Sequence, residues 1–307
     1  PPYLTALYSL KPGHNLEVAA RLMSVFVEEM LHLALAANVL NAVGGEPVVD
    51  SPAFIPRYPA SLPHSAGAFH IPLAGFSRHT LETFMRIEYP EGEDAAPEEE
   101  HYHTIGQFYR AIEDGLEQLC ASLGEDTVFC GDPARQVTPA LLDYTGGGRV
   151  IPVTDLASAR AAIDEIEEQG EGLKHASIWD GDRDMFHPER EEVAHYFRFQ
   201  EIALGRAYQR GDTPQSGPTG PAFDVEWDAV YPIIRNARAG NFAEGSPARL
   251  LIDDFNQQYS DLLRIMHRSF NGRPQDLLSS FPAMGGIAHA ARALMETPAG
   301  DGIQTLA

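Results

Sequence analysis

The sequence predicts an all-α fold: a four-helix bundle with long loop insertions and extra C-terminal helices. Three observations carry it. From Asn15 to Gly45 the chain keeps a helical period, with Val18, Leu22, Val25, Glu29, His32, Ala36, Val39 and Val43 alternating at spacings of four and three, the seam of a helix that faces other helices. Two polar residues, Glu29 and His32, interrupt that seam. A second Glu-x-x-His pair, Glu192 and His195, lies in the segment Pro188 to Gln209, which reads as another amphipathic helix and shares a face with Phe199, Ile202 and Ala203. At about 100° per residue, i and i+3 lie on one face of a helix, so each pair aims a carboxylate and an imidazole at the same neighbours. A buried carboxylate without a partner is costly. Two such pairs on two bundle helices are the pattern of a di-iron or di-manganese carboxylate site.

The other elements follow in order. Tyr3 to Leu10 is a short helix with Leu4, Leu7 and Tyr8 on one face, stopped by Lys11-Pro12-Gly13. Gly44-Gly45 ends the long helix, and Glu46 to Phe76 is a Pro- and Gly-rich loop without helical period, long enough to serve as a cover for the bundle end. His64 and His70 in this loop are expected to face solvent. Ser77 to Tyr89 is helical, with Leu81, Phe84 and Glu88 on one face; Glu88 either points inward or turns to solvent ahead of Pro90. After the acidic stretch Glu91 to Glu100, read as a solvated linker, Glu98 to Leu123 is a helix with His101, Ile105, Phe108, Ile112 and Leu119 on its apolar stripe and Gln107 opposite. Glu98 with His101 and Glu100 with His103 also fit the motif, as chance matches in a run dense in acids and histidines. Residues 124–187 read as an insertion around one helix, Asp155 to Gln169, capped by Thr154 or Asp155. The aromatics Tyr144, Trp179 and Phe186 there suit a substrate wall or core anchors. A Gly/Pro/Thr linker from Gly211 to Pro221 leads to two amphipathic helices, Pro247 to Phe270 and Pro274 to Met295. The expected organisation is a metal-binding bundle over 1–210 and a helical extension over 211–307.

Composition limits the function. The 307 residues hold ample apolar material for a core, and 22 Lys plus Arg against 44 Asp plus Glu leave a net charge of −22. Such a surface repels nucleic acid and anionic membranes. Two cysteines, Cys120 and Cys130, are too few for a disulfide framework. No signal peptide is visible, and no apolar run approaches the roughly 20 residues of a membrane span, so the expected localisation is cytoplasmic. The chain has no Gly-rich phosphate loop, Cys-x-x-Cys pair or nucleophile elbow, which leaves phosphoryl transfer, zinc fingers and serine hydrolysis without support.

The strings PPYLTALYSLKPG, VEEMLHLALAANVLNAVGG, IEYPEG, TIGQFYRAI, VTDLASARAAIDEIEEQGEG, EVAHYFRFQEI and ALMETPAGDG span nearly the whole chain. Together they resemble the ferritin-like domain family of the iminophenylpyruvate dimer synthases of violacein- and rebeccamycin-type pathways. The resemblance implies a ferritin-like bundle with a non-haem di-metal centre, di-iron or else manganese, that uses dioxygen or peroxide to oxidise a small amino-acid-derived metabolite, alone, as a homo-oligomer or beside a partner enzyme. It also implies a first-helix glutamate ahead of Pro1. The family usually carries a glutamate where this chain has Gln107, so either Glu88 or His101 takes the ligand role or the second metal position is weakened. The expected ligands are Glu29, His32, Glu192, His195 and Glu88, with His101 and Gln107 as further candidates. A manganese catalase-like enzyme, an iron-storage subunit and a bundle whose Glu and His pairs merely hydrogen-bond across the core are the competing readings.

Overall fold

The computed structural model describes residues 1–61, 69–90, 105–142, 147–172, 177–299 and 305. The long seam forms α2, Leu16–Ala42, the axis of the molecule. It closes as the Gly-Gly signal predicts: the Gly44 N–H donates to Asn41 O at 3.1 Å, the Gly45 N–H to Leu40 O at 2.9 Å, and Gly44 adopts φ +77°. This is a Schellman cap. The seam holds through Val18, Leu22, Val25 and His32 and then moves. Ala36 is exposed, while Leu35, Asn38 and Asn41 are buried. A strict four-three alternation slips by about 20° per heptad against the period of 3.6, so the buried stripe passes to neighbouring positions. Asn38 is satisfied there: its amide donates to Val137 O at 2.8 Å and Ile151 O at 2.9 Å, and its carbonyl accepts from Val137 N at 2.8 Å.

Around α2 stand α1 (Pro2–Tyr8), α3 (Arg78–Ile87), α4 (Ile105–Leu123), the short α5 (Glu125–Val128) and α6 (Leu156–Glu171). They are followed by β1 (Trp179–Arg183), β2 (Glu191–Val193), α7 (His195–Leu204), α8 (Pro247–Phe270) and α9 (Ser280–Glu296). Ser77 caps α3 by accepting from Thr80 N at 3.1 Å, and Asp155 caps α6 in a capping box with Ser158. The helices α8 and α9 share a core with α2, where Leu31 and Leu35 meet Leu262, Met266, Phe270 and Ile287. A second apolar cluster joins Leu7, Leu22, Val25, Phe84, Phe199 and Ile202. Glu28 and Glu29 lie on α2 between the buried residues it gives to these two clusters, and His32 follows directly after Leu31.

Four expectations change. Residues 188–209 are not one helix: Glu191–Val193 pairs antiparallel with Trp179–Arg183, and helix begins only at His195. Glu192 is therefore a strand residue, and the second Glu-x-x-His pair spans a strand-to-helix junction. Second, α6, read as the one short helix of an insertion, packs against α2, α4 and α7. Third, on α4 the inward face runs through Ile112 and Leu116, while Phe108 and Leu119 of the expected stripe are exposed; Gln107, expected opposite, is buried. Fourth, α2 is long and apolar enough by composition to cross a membrane, with a mean hydropathy of 1.4 in a window half buried by the rest of the fold. Both cysteines are free.

Candidate metal centre

Three side chains from three helices converge. Glu29 comes from α2, Glu88 from the C-cap of α3, and His195 from the first turn of α7. Each offers a ligand atom within 4.8 Å of the others. His195 is fully buried, Glu88 nearly so, and the Glu29 side chain is about one-third exposed. His195 Nδ1 lies 3.4 Å from Glu29 Oε1 and 3.5 Å from Glu88 Oε2, yet it makes no hydrogen bond. His32 joins from one turn further along α2, its Nδ1 3.5 Å from Glu29 Oε1 and its ring centroid 5.4 Å from that of His195. Glu88 thus points inward, as one of its two sequence readings required.

The charges around the group are strongly coupled. Burial works against a protonated His195, but Glu28, Glu29 and Glu88 together hold its proton well above the ordinary histidine range. Desolvation likewise works against ionised Glu29, and the His195 and His32 imidazoles outweigh it, holding the carboxyl well below its ordinary range. Two tyrosines flank the acids. Tyr3 of α1 donates its hydroxyl proton to Glu88 Oε1 and packs edge-on against Phe84 at 4.7 Å. Tyr109 of α4 has its pKa pushed up by burial and by the charges of Glu29, Glu167 and Glu88.

Glu192 belongs to a different group. Together with Glu28 and Asp180 it surrounds Arg198, a guanidinium only 2% exposed. Arg198 Nη2 lies 2.8 Å from Glu28 Oε2 and 2.7 Å from Asp180 Oδ2, and Nη1 lies 3.1 Å from Glu192 Oε1. Arg198 also donates to Val193 O and Ser24 Oγ. Burial pushes the Glu192 carboxyl up to about 9, against the pull of Arg198, so it is protonated at neutral pH; its Oε2 is buried without a partner. Glu28 is shared, since its Oε2 also accepts from His195 Nε2 at 2.9 Å.

The remaining sequence candidates fall as follows. Gln107 is buried at the start of α4. His101 lies outside the described residues, as do His64, His103, Glu98, Glu100, Tyr144 and the acidic stretch from Glu91 to Glu100. His70 stands at the surface, 3.2 Å from Ser61 Oγ. Trp179 and Phe186 line a cavity of about 390 Å³ that includes Arg198 and Glu192 in its wall. Residues that the sequence reading missed are Tyr3, Glu28, Tyr109, Gln169 and Arg198. Gln169 carried a signal: it continues the seam of Ala159, Ala162, Ile163 and Ile166 on α6, and its Oε1 sits 2.8 Å from His32 Nε2.

The donor set fits a metal ion. A buried imidazole nitrogen without a hydrogen bond, facing two carboxylates at 3.4 and 3.5 Å, is too far for good hydrogen bonds and suits atoms that share an ion with bonds of about 2 Å each. Mixed carboxylate and imidazole donors suit iron or manganese.

The chain is similar to known proteins over most of its length. A family profile described as Ferritin-like matches residues 1–204. Dichlorochromopyrrolate synthase of Lentzea aerocolonigenes is 27% identical over 289 residues, covering 84% of this chain, which spans about a quarter (25%) of that relative's length. The crystal structure of a ferritin like protein from Caulobacter vibrioides superposes with a TM-score of 0.62 at 22% identity, over 97% of this chain and 91% of that one.

Proposed function

Because the chain belongs to the Ferritin-like family, we propose that it is a non-haem di-iron oxidase or oxygenase acting on a small amino-acid-derived metabolite in a specialised biosynthetic pathway of the cytoplasm. The observation that carries the reading is the orphaned Nδ1 of buried His195 between Glu29 and Glu88. These three residues and His32 would hold the metal. When bound, iron supplies reductive activation of dioxygen or use of peroxide. The chain's own residues do the rest. Tyr3 orients Glu88 through its hydroxyl, Glu28 holds the Nε2 proton of His195, and Phe84 and Phe199 close the apolar side against water.

A cavity of about 620 Å³ lies beyond α1, lined by Pro1, Leu4, Tyr8, Tyr58, Phe255 and Tyr259. Its size and mixed lining suit a small organic substrate. The likeness to a pathway synthase supports the metabolite class. Anaerobic loading with ferrous iron, metal counting per chain and oxygen uptake with candidate amino acids and their imines test the reading. About two irons per chain and substrate-dependent oxygen uptake are expected; preferential retention of manganese with peroxide disproportionation would replace the reading with a catalase-like one.

A further inference from the structure

Both imidazoles of the centre are held from behind, and both supporting chains end on one strand. His195 Nε2 meets Glu28, Glu28 meets Arg198, and Arg198 meets Asp180. His32 Nε2 meets Gln169 Oε1 at 2.8 Å, and Gln169 Nε2 donates to Asp182 Oδ2 at 2.7 Å. Asp180 and Asp182 both belong to β1, on either side of Gly181, where the pairing with β2 is irregular; both are more buried than Gly181 and Arg183.

The direction of each bond follows from what its groups can do. An ionised carboxylate only accepts, so Asp182 draws the NH₂ of Gln169 and leaves the amide carbonyl facing His32. A carbonyl also only accepts, which puts the ring proton of His32 on Nε2 and the lone pair on Nδ1, the atom beside Glu29. On the other branch the Glu28 carboxylate sets the same tautomer for His195. Gly148 leaves room for this arrangement: a Cβ there would stand 2.2 Å from Gln169 Nε2.

We propose that β1 is the outer brace of the metal centre. Asp182, acting through Gln169, and Asp180, acting through Arg198 and Glu28, are positioning residues that fix the Nε2–H tautomer of His32 and His195, so that both rings present Nδ1 to the metal. The proposal rests on the metal reading above and adds residues that touch neither the metal nor the substrate.

The test uses the full chain labelled with ¹⁵N-histidine and loaded with Zn(II) as a diamagnetic stand-in, buffered well above the Asp182 value of about 7. Long-range ¹H–¹⁵N spectra identify the ring nitrogen that carries the proton, and competition with a chelator gives the Zn(II) affinity. In the wild-type protein both rings carry the proton on Nε2. In Asp182→Asn the new amide can donate to Gln169, which then turns its NH₂ to His32; an Nδ1–H form of His32 appears and Zn(II) affinity falls about tenfold to a hundredfold. The double variant Asp182→Asn/Gln169→Glu again places an acceptor-only group beside His32 and restores both readouts, a rescue that loss of packing would not give. A proton on Nδ1 of either wild-type ring overturns the proposal, even where the variants do not fold. An unchanged tautomer and affinity in Asp182→Asn, or no rescue in the double variant, also overturns it. Wild-type protein that binds no Zn(II) overturns the metal reading itself, and this proposal with it.

Discussion

Glu28 and Glu29 are neighbours on one helix and serve opposite ends of the same problem. Glu28 joins Asp180 and Glu192 around Arg198, a group of buried acids that carries its own cation. Glu29 joins Glu88 and His195, where among the described residues the ion pairs of the two acids are with imidazoles and His195 Nδ1 makes no hydrogen bond. Buried charge needs a partner. The first group has its partner in the chain, and the second is arranged for one from outside. His195 joins the two, bound by Nε2 to the self-contained group and facing the other with Nδ1.

That contrast is open to attack at several points. The largest effect is expected from Arg198→Ala, which strands buried carboxylates without their cation: about 3–5 kcal/mol of stability is lost, read from urea unfolding of the metal-free protein. Next comes the neighbouring pair. Glu28→Gln removes a charge that Arg198 and His195 both use and costs about 2 kcal/mol in the metal-free protein. Glu29→Gln, at a one-third exposed side chain, costs under about 1 kcal/mol there but abolishes iron retention in elemental analysis. Equal stability losses in the two variants would erase the distinction.

Glu192 sharpens it further through pH. Its folded pKa of about 9 lies above the ordinary value of 4.5, so its contribution is fully present at acid pH and fades as pH rises between those values. Glu192→Gln, which mimics the protonated acid, is therefore expected to gain on the wild type through that window in unfolding titrations and to keep its iron. The smallest effect lies far from both groups. Asp155→Ala removes the cap of α6 and costs about 1 kcal/mol. The Ser158 hydrogen bonds lower the Asp155 pKa, so the cost is present above the ordinary carboxylate range and shrinks as acid protonates the folded-state group.

Parts of this were legible in the sequence, and others were not, for physical reasons. Glu29, His32 and the caps at Asp155 and Gly44 could be read because helical period and capping are local. Pro247–Phe270 was bounded correctly for the same reason. Glu192 was misplaced because Pro188 to Gln209 has a helix-like local pattern, while its strand state depends on pairing with Trp179–Arg183, which no window around Glu192 contains. Asp180 and Asp182 sit in a Gly- and Asp-rich stretch where alternation over five residues gives little signal. Tyr3 and Arg198 are recognisable as parts of the site only once α1 meets α3 and α7 meets β1, since their partners lie 85 and 18 residues away along the chain.

The most direct measurement is an anomalous difference map at the iron edge from crystals of the iron-loaded protein. Density is expected between Glu29, Glu88, His195 and His32, and none among Glu28, Asp180 and Glu192. Iron beside Arg198, or at neither place in crystals shown to contain it, would contradict the account.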